Sequence, residues 1–199
     1  MGDNALARHG RSFFSRSPLE LAPALLGCEL RHRINSENLS ARIVEVEAYL
    51  GVGEDPASHA HGGPTQRNRE MFETPGRLYV YFTYGMHHCM NVVCESRGMA
   101  GAVLLRAAEP ILGSEIMCAR RSRGGVDISN GPAKLCQAFG IDLSANGIDL
   151  VRGPLGIWSG EPPKRIIRSP RIGISKALDR NYRFSDADSA HVSRPQPRC

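Results

Sequence analysis

The chain contains no apolar run near the roughly 18 residues that a membrane span requires, and Asp3, Arg8 and Arg11 interrupt the stretch where a secretory signal core would lie. A soluble, intracellular protein without membrane contact is expected. Its six cysteines, at 28, 89, 94, 118, 136 and 199, form no Cys-x-x-Cys pair and are scattered through 199 residues, so a disulfide framework is not indicated. Neither His-Glu-x-x-His nor the deaminase His-x-Glu with Pro-Cys-x-x-Cys is present. His59-Ala-His61 and His87-His88-Cys89, with Cys94 as a distant fourth ligand, therefore lack a zinc spacing, and no metal or cofactor is expected. The Walker phosphate loop and the Gly-x-Ser-x-Gly elbow are missing too, and Gly51-Val-Gly53 lacks a third glycine. Nucleotide-hydrolase and serine-hydrolase chemistry are set aside on that ground.

With 41% hydrophobic residues the chain can bury a substantial core, and with no repeat, low-complexity block or linker it is read as one domain over 1–199. Residues 1–12 and 186–199 are expected to fray at its ends. The net charge is +5, but residues 152–199 hold ten Lys/Arg against four Asp/Glu, and Arg120, Arg121 and Arg123 form a second cluster. Such clustering suits an electrostatic footprint on phosphates, although an ordinary solvated surface has the same composition.

Several elements are legible. Residues 18–28 read as a short helix begun near Ser17 and stopped by Gly27. From Ala41 to Leu50 the pattern alternates, with Val44, Val46, Ala48 and Leu50 on one face and Glu45, Glu47 and Tyr49 on the other, as in a half-buried strand. Residues 51–77 form a long irregular segment with at most one helical turn near 68–72, a length that points to a functional loop. Leu78–Tyr84 and Met90–Cys94 read as a hairpin with Tyr84 near its tip, and 101–107 as a strand carrying Arg106 among apolar neighbours. Helices are expected over 111–123 and 130–140, the latter closed by Gly140, and a late strand over 171–175.

Glu45 and Glu47 lie two residues apart on one strand face, roughly 7 Å along it, and either could serve as a general base beside the long loop. A solvated Glu-x-Glu is the commoner meaning of that spacing, but Arg106 on an apolar strand needs a partner and could hold such a carboxylate and a water. Four of five tyrosines, at 49, 79, 81 and 84, fall within 36 residues. Aromatic faces stack nucleobases for about 1–3 kcal/mol each, and a tip residue can wedge into a base step. For Tyr79 a core position is the preferred reading.

The blocks Arg-Ile-Val-Glu-Val-Glu-Ala-Tyr-Leu-Gly (42–51), Arg-Asn-Arg-Glu-Met-Phe (67–72), Pro-Gly-Arg-Leu-Tyr-Val-Tyr-Phe-Thr-Tyr-Gly-Met (75–86), Val-Leu-Leu-Arg-Ala-Ala-Glu-Pro (103–110) and Asn-Gly-Pro-Ala-Lys-Leu-Cys-Gln-Ala (130–138) occur in one order. In these blocks the chain closely resembles the alkyladenine, or 3-methyladenine, DNA glycosylases of the methylpurine type, over about Phe13 to Phe184. The resemblance implies an α+β fold: one compact domain with a mixed, mostly antiparallel curved sheet surrounded by helices, and a protruding β-hairpin that enters DNA. It implies a monomeric, monofunctional enzyme of base excision repair. Such an enzyme flips alkylated or deaminated purines out of double-stranded DNA and hydrolyses their N-glycosidic bonds without lyase activity.

By the same resemblance Glu47 would activate the attacking water, with Arg106 holding both. Tyr49 would stack on the flipped base, and His59 and Tyr81 would complete the pocket. Asn91 would line its floor, Tyr84 would enter the vacated space in the duplex, and Met86 would touch the minor groove. After Arg-Ile-Gly-Ile-Ser-Lys-Ala (171–177) the family usually continues through an aromatic-rich segment, whereas here Asn181-Tyr-Arg-Phe leads into polar residues. Two other readings compete: a non-catalytic lesion-binding protein and a metal-dependent hydrolase built on the histidines.

Overall fold

The computed structural model describes residues 6–194. In chain order the elements are α1 (Arg11–Phe14), α2 (Pro18–Leu25), β1 (Glu29–Ile34), β2 (Glu37–Tyr49), β3 (Leu78–Thr83), β4 (His87–Val93), β5 (Ala102–Leu112), α3 (Ser114–Arg121), α4 (Pro132–Phe139), β6 (Leu155–Trp158), β7 (Ile166–Ser169) and β8 (Arg183–Asp186). The strands form one sheet in the order β3-β4-β5-β2-β1-β6, with β8 added to the second half of β2 and β7 to β8. Every ladder is antiparallel. The α+β class is as expected.

Side-chain alternation divides the sheet into two faces with different tasks. Leu78, Val80, Met90, Val92, Val103, Leu105, Val46 and Ala48 point to a main core shared with Leu21 and Leu25 of α2 and Leu135 and Phe139 of α4. Fully burying each such side chain is worth about 1.5–3 kcal/mol, so this face holds the domain together. The opposite face carries Tyr79, Tyr81, Asn91, Leu104, Arg106 and the β2 carboxylates, and it has only a small apolar cluster around Met71 and Tyr79.

The half-buried β2 expected from alternation is instead buried on both faces, with Glu45 and Glu47 inaccessible to solvent. Its register also shifts between Ile43 and Glu45 and again between Glu45 and Val46. A bulge inserts a residue and bends the strand, so Ile43 rather than Val44 shares the main core with Val46 and Ala48.

Helix α2 begins where Ser17 gives its backbone N–H (3.0 Å) and its hydroxyl (2.7 Å) to the Glu20 carboxylate, a capping arrangement that satisfies a terminal donor. Gly27 follows it at φ +84, and a Cβ there would lie 2.0 Å from the Glu161 carbonyl oxygen, so no other residue fits without movement.

One further expectation differs from the structure. Residues 171–175 form no strand, because the Ile172 N–H and the Arg171 side chain turn to Glu47 and Asp55 rather than to a neighbouring ladder. Near the ends of the described residues Arg8 bonds the carbonyls of Leu150, Gly153 and Leu155, and Ser193 bonds Glu45. Residues 1–5 and 195–199 lie outside the described residues. Among the described residues no helix is long and apolar enough to cross a membrane.

Candidate functional site

Strand register sets four residues abreast on the polar face. Tyr79 pairs with Asn91, Asn91 with Leu104, and Leu104 with Glu47. Arg106 lies two residues further along β5, on the same face, beside both β2 carboxylates.

Those two carboxylates, alike in sequence, have different surroundings. Glu45 receives Arg106 Nε (2.9 Å), Arg183 Nε (2.7 Å), and the backbone N–H (2.5 Å) and hydroxyl (2.8 Å) of Ser193. Burial alone would push its carboxyl up, but the two guanidinium groups and the Ser193 N–H reverse this and hold it below the usual carboxylate range. Glu47 Oε1 accepts the Ile172 N–H (2.8 Å) and is ion-paired with Arg106 Nη1 (3.2 Å), and Oε2 accepts the Tyr49 hydroxyl (2.9 Å). Here burial prevails over those donors, and the Glu47 carboxyl is raised. The two neighbouring acids are thus driven in opposite directions by their surroundings.

In front of this cluster lies an open cavity of about 600 Å³. Tyr49, His59, Tyr81, Tyr84, Asn91 and Arg106 all line it. His59 and Tyr81 meet edge to face with ring centroids 4.6 Å apart, and Tyr79 lies behind them, 1% exposed, with its hydroxyl 3.0 Å from His59 Nδ1. Burial and the nearby Arg67 charge lower the pKa of His59 and favour its neutral ring. Burial raises both Tyr49 and Tyr81, and the Glu47 charge adds to the effect on Tyr49, so each phenol stays protonated and able to donate. Asn91 gives its side-chain N–H to the Tyr79 carbonyl (3.1 Å), which fixes the amide plane at the cavity wall. Glu47 is not itself a lining residue: it sits directly behind Tyr49, Arg106 and Ile172, which do line the cavity.

Tyr84 and Gly85 both have positive φ, 50 and 67, in the turn joining β3 to β4. Positive φ suits Gly85 and the twist of a tight hairpin but is strained for a tyrosine. Tyr84 is nonetheless 82% exposed and Met86 70% exposed, so neither ring nor thioether contributes burial to the fold. Met86 lies beside the turn and outside the cavity lining.

Several participants escape sequence reasoning. Ile172 acts through its backbone, which no side-chain pattern signals. Arg171 and Arg183 belong to the basic C-terminal quarter but are buried against Asp55 and Glu45. In the second basic cluster Arg120 pairs with Glu37, and Arg121 binds the Gln137 side chain and the Ile128 carbonyl. Part of the apparent phosphate footprint is thus engaged within the protein, while Arg152, Lys164, Arg165 and Arg168 stay exposed. Lys176 and Arg194, in contrast, stand at the cavity. His87, His88 and Cys89 alternate along β4, and Cys94 belongs to the opposite core face. Among the described residues no three His, Cys, Asp or Glu side chains gather as metal ligands.

The chain matches the family model described as methylpurine-DNA glycosylase (MPG) over residues 12–190. A relative from Leifsonia xyli subsp. xyli is 48% identical over 183 residues, covering 88% of this chain and 85% of the relative. One from Rhodopseudomonas palustris is 46% identical over 192 residues (94% and 89%), and one from Methanoculleus marisnigri 44% over 189 residues (92% and 97%). All three carry the name "Putative 3-methyladenine DNA glycosylase". With family model and relatives in agreement over nearly its whole length, the chain belongs to the methylpurine-DNA glycosylase family, DNA-repair hydrolases that act as DNA glycosylases.

Proposed function

We propose that the chain excises alkylated and deaminated purines (3-methyladenine, 7-methylguanine, hypoxanthine and ethenoadenine as a class) from double-stranded DNA, as a monofunctional, monomeric glycosylase that leaves an abasic site. The observation that carries this reading is the enclosed Glu47 carboxylate, bonded to Arg106, Ile172 and Tyr49 directly behind an aromatic cavity that those residues line.

A stacked base hides its glycosidic bond, so the enzyme has to extrude the nucleotide, and glycosylases are themselves a standard example of such base flipping. Tyr84 enters the vacated space as the wedge, and Met86 beside it contacts the minor groove. The extruded purine lies against Tyr49, with His59 and Tyr81 on its other side and Asn91 at the floor. Breaking the C1′–N bond sends its electron pair to the departing base and leaves an oxocarbenium-like sugar. The Glu47 charge stabilises that cation and takes a proton from the water that adds to C1′. Arg106 holds the carboxylate and water in place. A cationic alkylpurine departs as a neutral base and requires little further assistance. No lysine stands beside Glu47 in sequence as an amine nucleophile, and a lyase step forms no part of the proposal.

One observation favours a second reading, a lesion-binding protein without catalysis: Glu47 has no solvent exposure, and the Tyr49 hydroxyl occupies its second oxygen. Catalysis therefore requires Tyr49 to shift as a base enters. Duplexes bearing one defined lesion each, incubated with the protein and cleaved in alkali, separate the two. Strand breaks at the lesion are expected; tight binding with no abasic sites would establish the binding protein instead.

A further inference from the structure

Behind the pocket wall lies a buried ion pair that the mechanism above does not use. Neither side chain of the Arg171–Asp55 pair reaches solvent, and the guanidinium grips the carboxylate through two hydrogen bonds of 2.6 and 2.8 Å. Arg171 also donates to the Ala48 carbonyl at 3.0 Å, in the peptide that joins Ala48 to Tyr49. Its guanidinium lies over the Tyr49 ring at 4.6 Å and over Tyr182 at 5.3 Å. The next residue, Ile172, supplies the N–H that holds Glu47. Asp55, for its part, accepts the backbone N–H groups of Leu50 and Ala57, both at 3.2 Å, at the start of the loop that carries His59.

The energetics argue against a purely structural purpose. A buried ion pair is replaceable by well-packed apolar groups with little loss, because desolvation offsets most of its attraction. This pair is further disfavoured, since the buried Arg171 Nε has no hydrogen-bond partner among the described residues. What the guanidinium offers beyond packing is geometry: a planar fork that binds a carboxylate on two atoms, reaches a carbonyl, and stacks on an aromatic ring at once.

We propose that Asp55 and Arg171 are a positioning pair. The guanidinium fixes the Tyr49 stacking platform from behind and, through the adjoining Ile172 N–H, aims Glu47, so that the ring and the carboxylate keep one alignment. The inference rests on the assignment of Glu47 as general base. Misplacing a reacting group by about 1 Å costs on the order of 100-fold in rate, which sets the scale of the expected effect.

Two variants test it. Arg171→Lys keeps the charge but loses the fork, and the double variant Asp55→Asn/Arg171→Gln removes both charges so that neither is stranded. Each is compared with wild type and Glu47→Gln for thermal midpoint, affinity for a hypoxanthine duplex, and single-turnover base release at saturating protein. At least one variant is expected to fold, with release slowed on the order of 30- to 100-fold and duplex affinity changed by a few-fold at most. Release within a few-fold of wild type in a folded variant overturns the inference, as does failure of both to fold, which would make the pair a structural prop. The two failures are distinct: release retained by Glu47→Gln removes the general base, whereas an inactive Glu47→Gln beside a fully active Arg171→Lys removes only the positioning role.

Discussion

Replacing Tyr84 by glycine separates the wedge from the fold. The ring is 82% exposed and adds no burial, while its φ of 50 belongs to the left-handed region. Holding an L-residue there costs about 1–2 kcal/mol, and glycine relieves that strain at an unfolded-state entropy cost of about 0.5–1 kcal/mol. The balance lies between no change and about 1.5 kcal/mol of stabilisation, a rise in thermal midpoint of no more than about 6 °C for a chain of this size. Activity should move in the other direction. Extruding a paired base costs a few kcal/mol, and if the tyrosine supplies about 1.5–3 kcal/mol of it by filling the gap, release from a paired hypoxanthine duplex falls about 10- to 100-fold. A lesion opposite an abasic gap is already unpaired and needs less help, so the defect should shrink there. The assay is single-turnover release followed by alkaline cleavage on both duplexes. Equal losses on the two substrates, or a fall in thermal midpoint, would refute the wedge and the energetic reasoning together.

Three further outcomes follow from the carboxylate cluster and the helix cap. Arg106→Gln removes a charge that lowers the Glu47 pKa against burial, so Glu47 is raised further and the acid limb of the pH–rate profile moves to higher pH; an unmoved limb in active protein would contradict this. Glu45→Gln strands two guanidinium groups and should destabilise by about 3–5 kcal/mol, read in urea titrations. Because Glu45 is held below its ordinary value, its stabilisation is full above about pH 4.5 and disappears as pH falls through the lowered pKa, so that acid-dependent part should be missing in Glu45→Gln. Ser17→Ala removes the hydroxyl bonded to Glu20 at the start of α2 and should cost about 0.5–2 kcal/mol with no change in base release.

Alternation made much of the site legible before any coordinates. The strand carrying Tyr79 and Tyr81, the hairpin turn at Tyr84, the strand carrying Arg106 and the carboxylate face of β2 all follow from period-two patterning and turn residues. The choice between Glu45 and Glu47 does not. Their difference arises from Arg183 and Ser193, more than 130 residues away in sequence, and the preference for Glu47 came from family resemblance. The β2 bulge leaves no local signature, so alternation sets Val44 on the face where Ile43 instead joins Val46 and Ala48. Charge counting leaves a phosphate footprint and a solvated surface as alternatives for the C-terminal arginines, and Arg171 and Arg183 are neither but internal counter-ions. Composition records a charge but not whether its partner is a phosphate or a buried carboxylate.

In the proposed reaction a single carboxylate, Glu47, stabilises the oxocarbenium-like sugar and takes the proton of the attacking water. Glu47→Gln keeps the side chain's shape and an oxygen for the Ile172 N–H, so the direct measurement is single-turnover release of hypoxanthine from a duplex, paired with affinity for the same duplex. Binding is expected to stay close to wild type while release falls at least 100-fold; release at or near the wild-type rate would remove Glu47 from the chemistry.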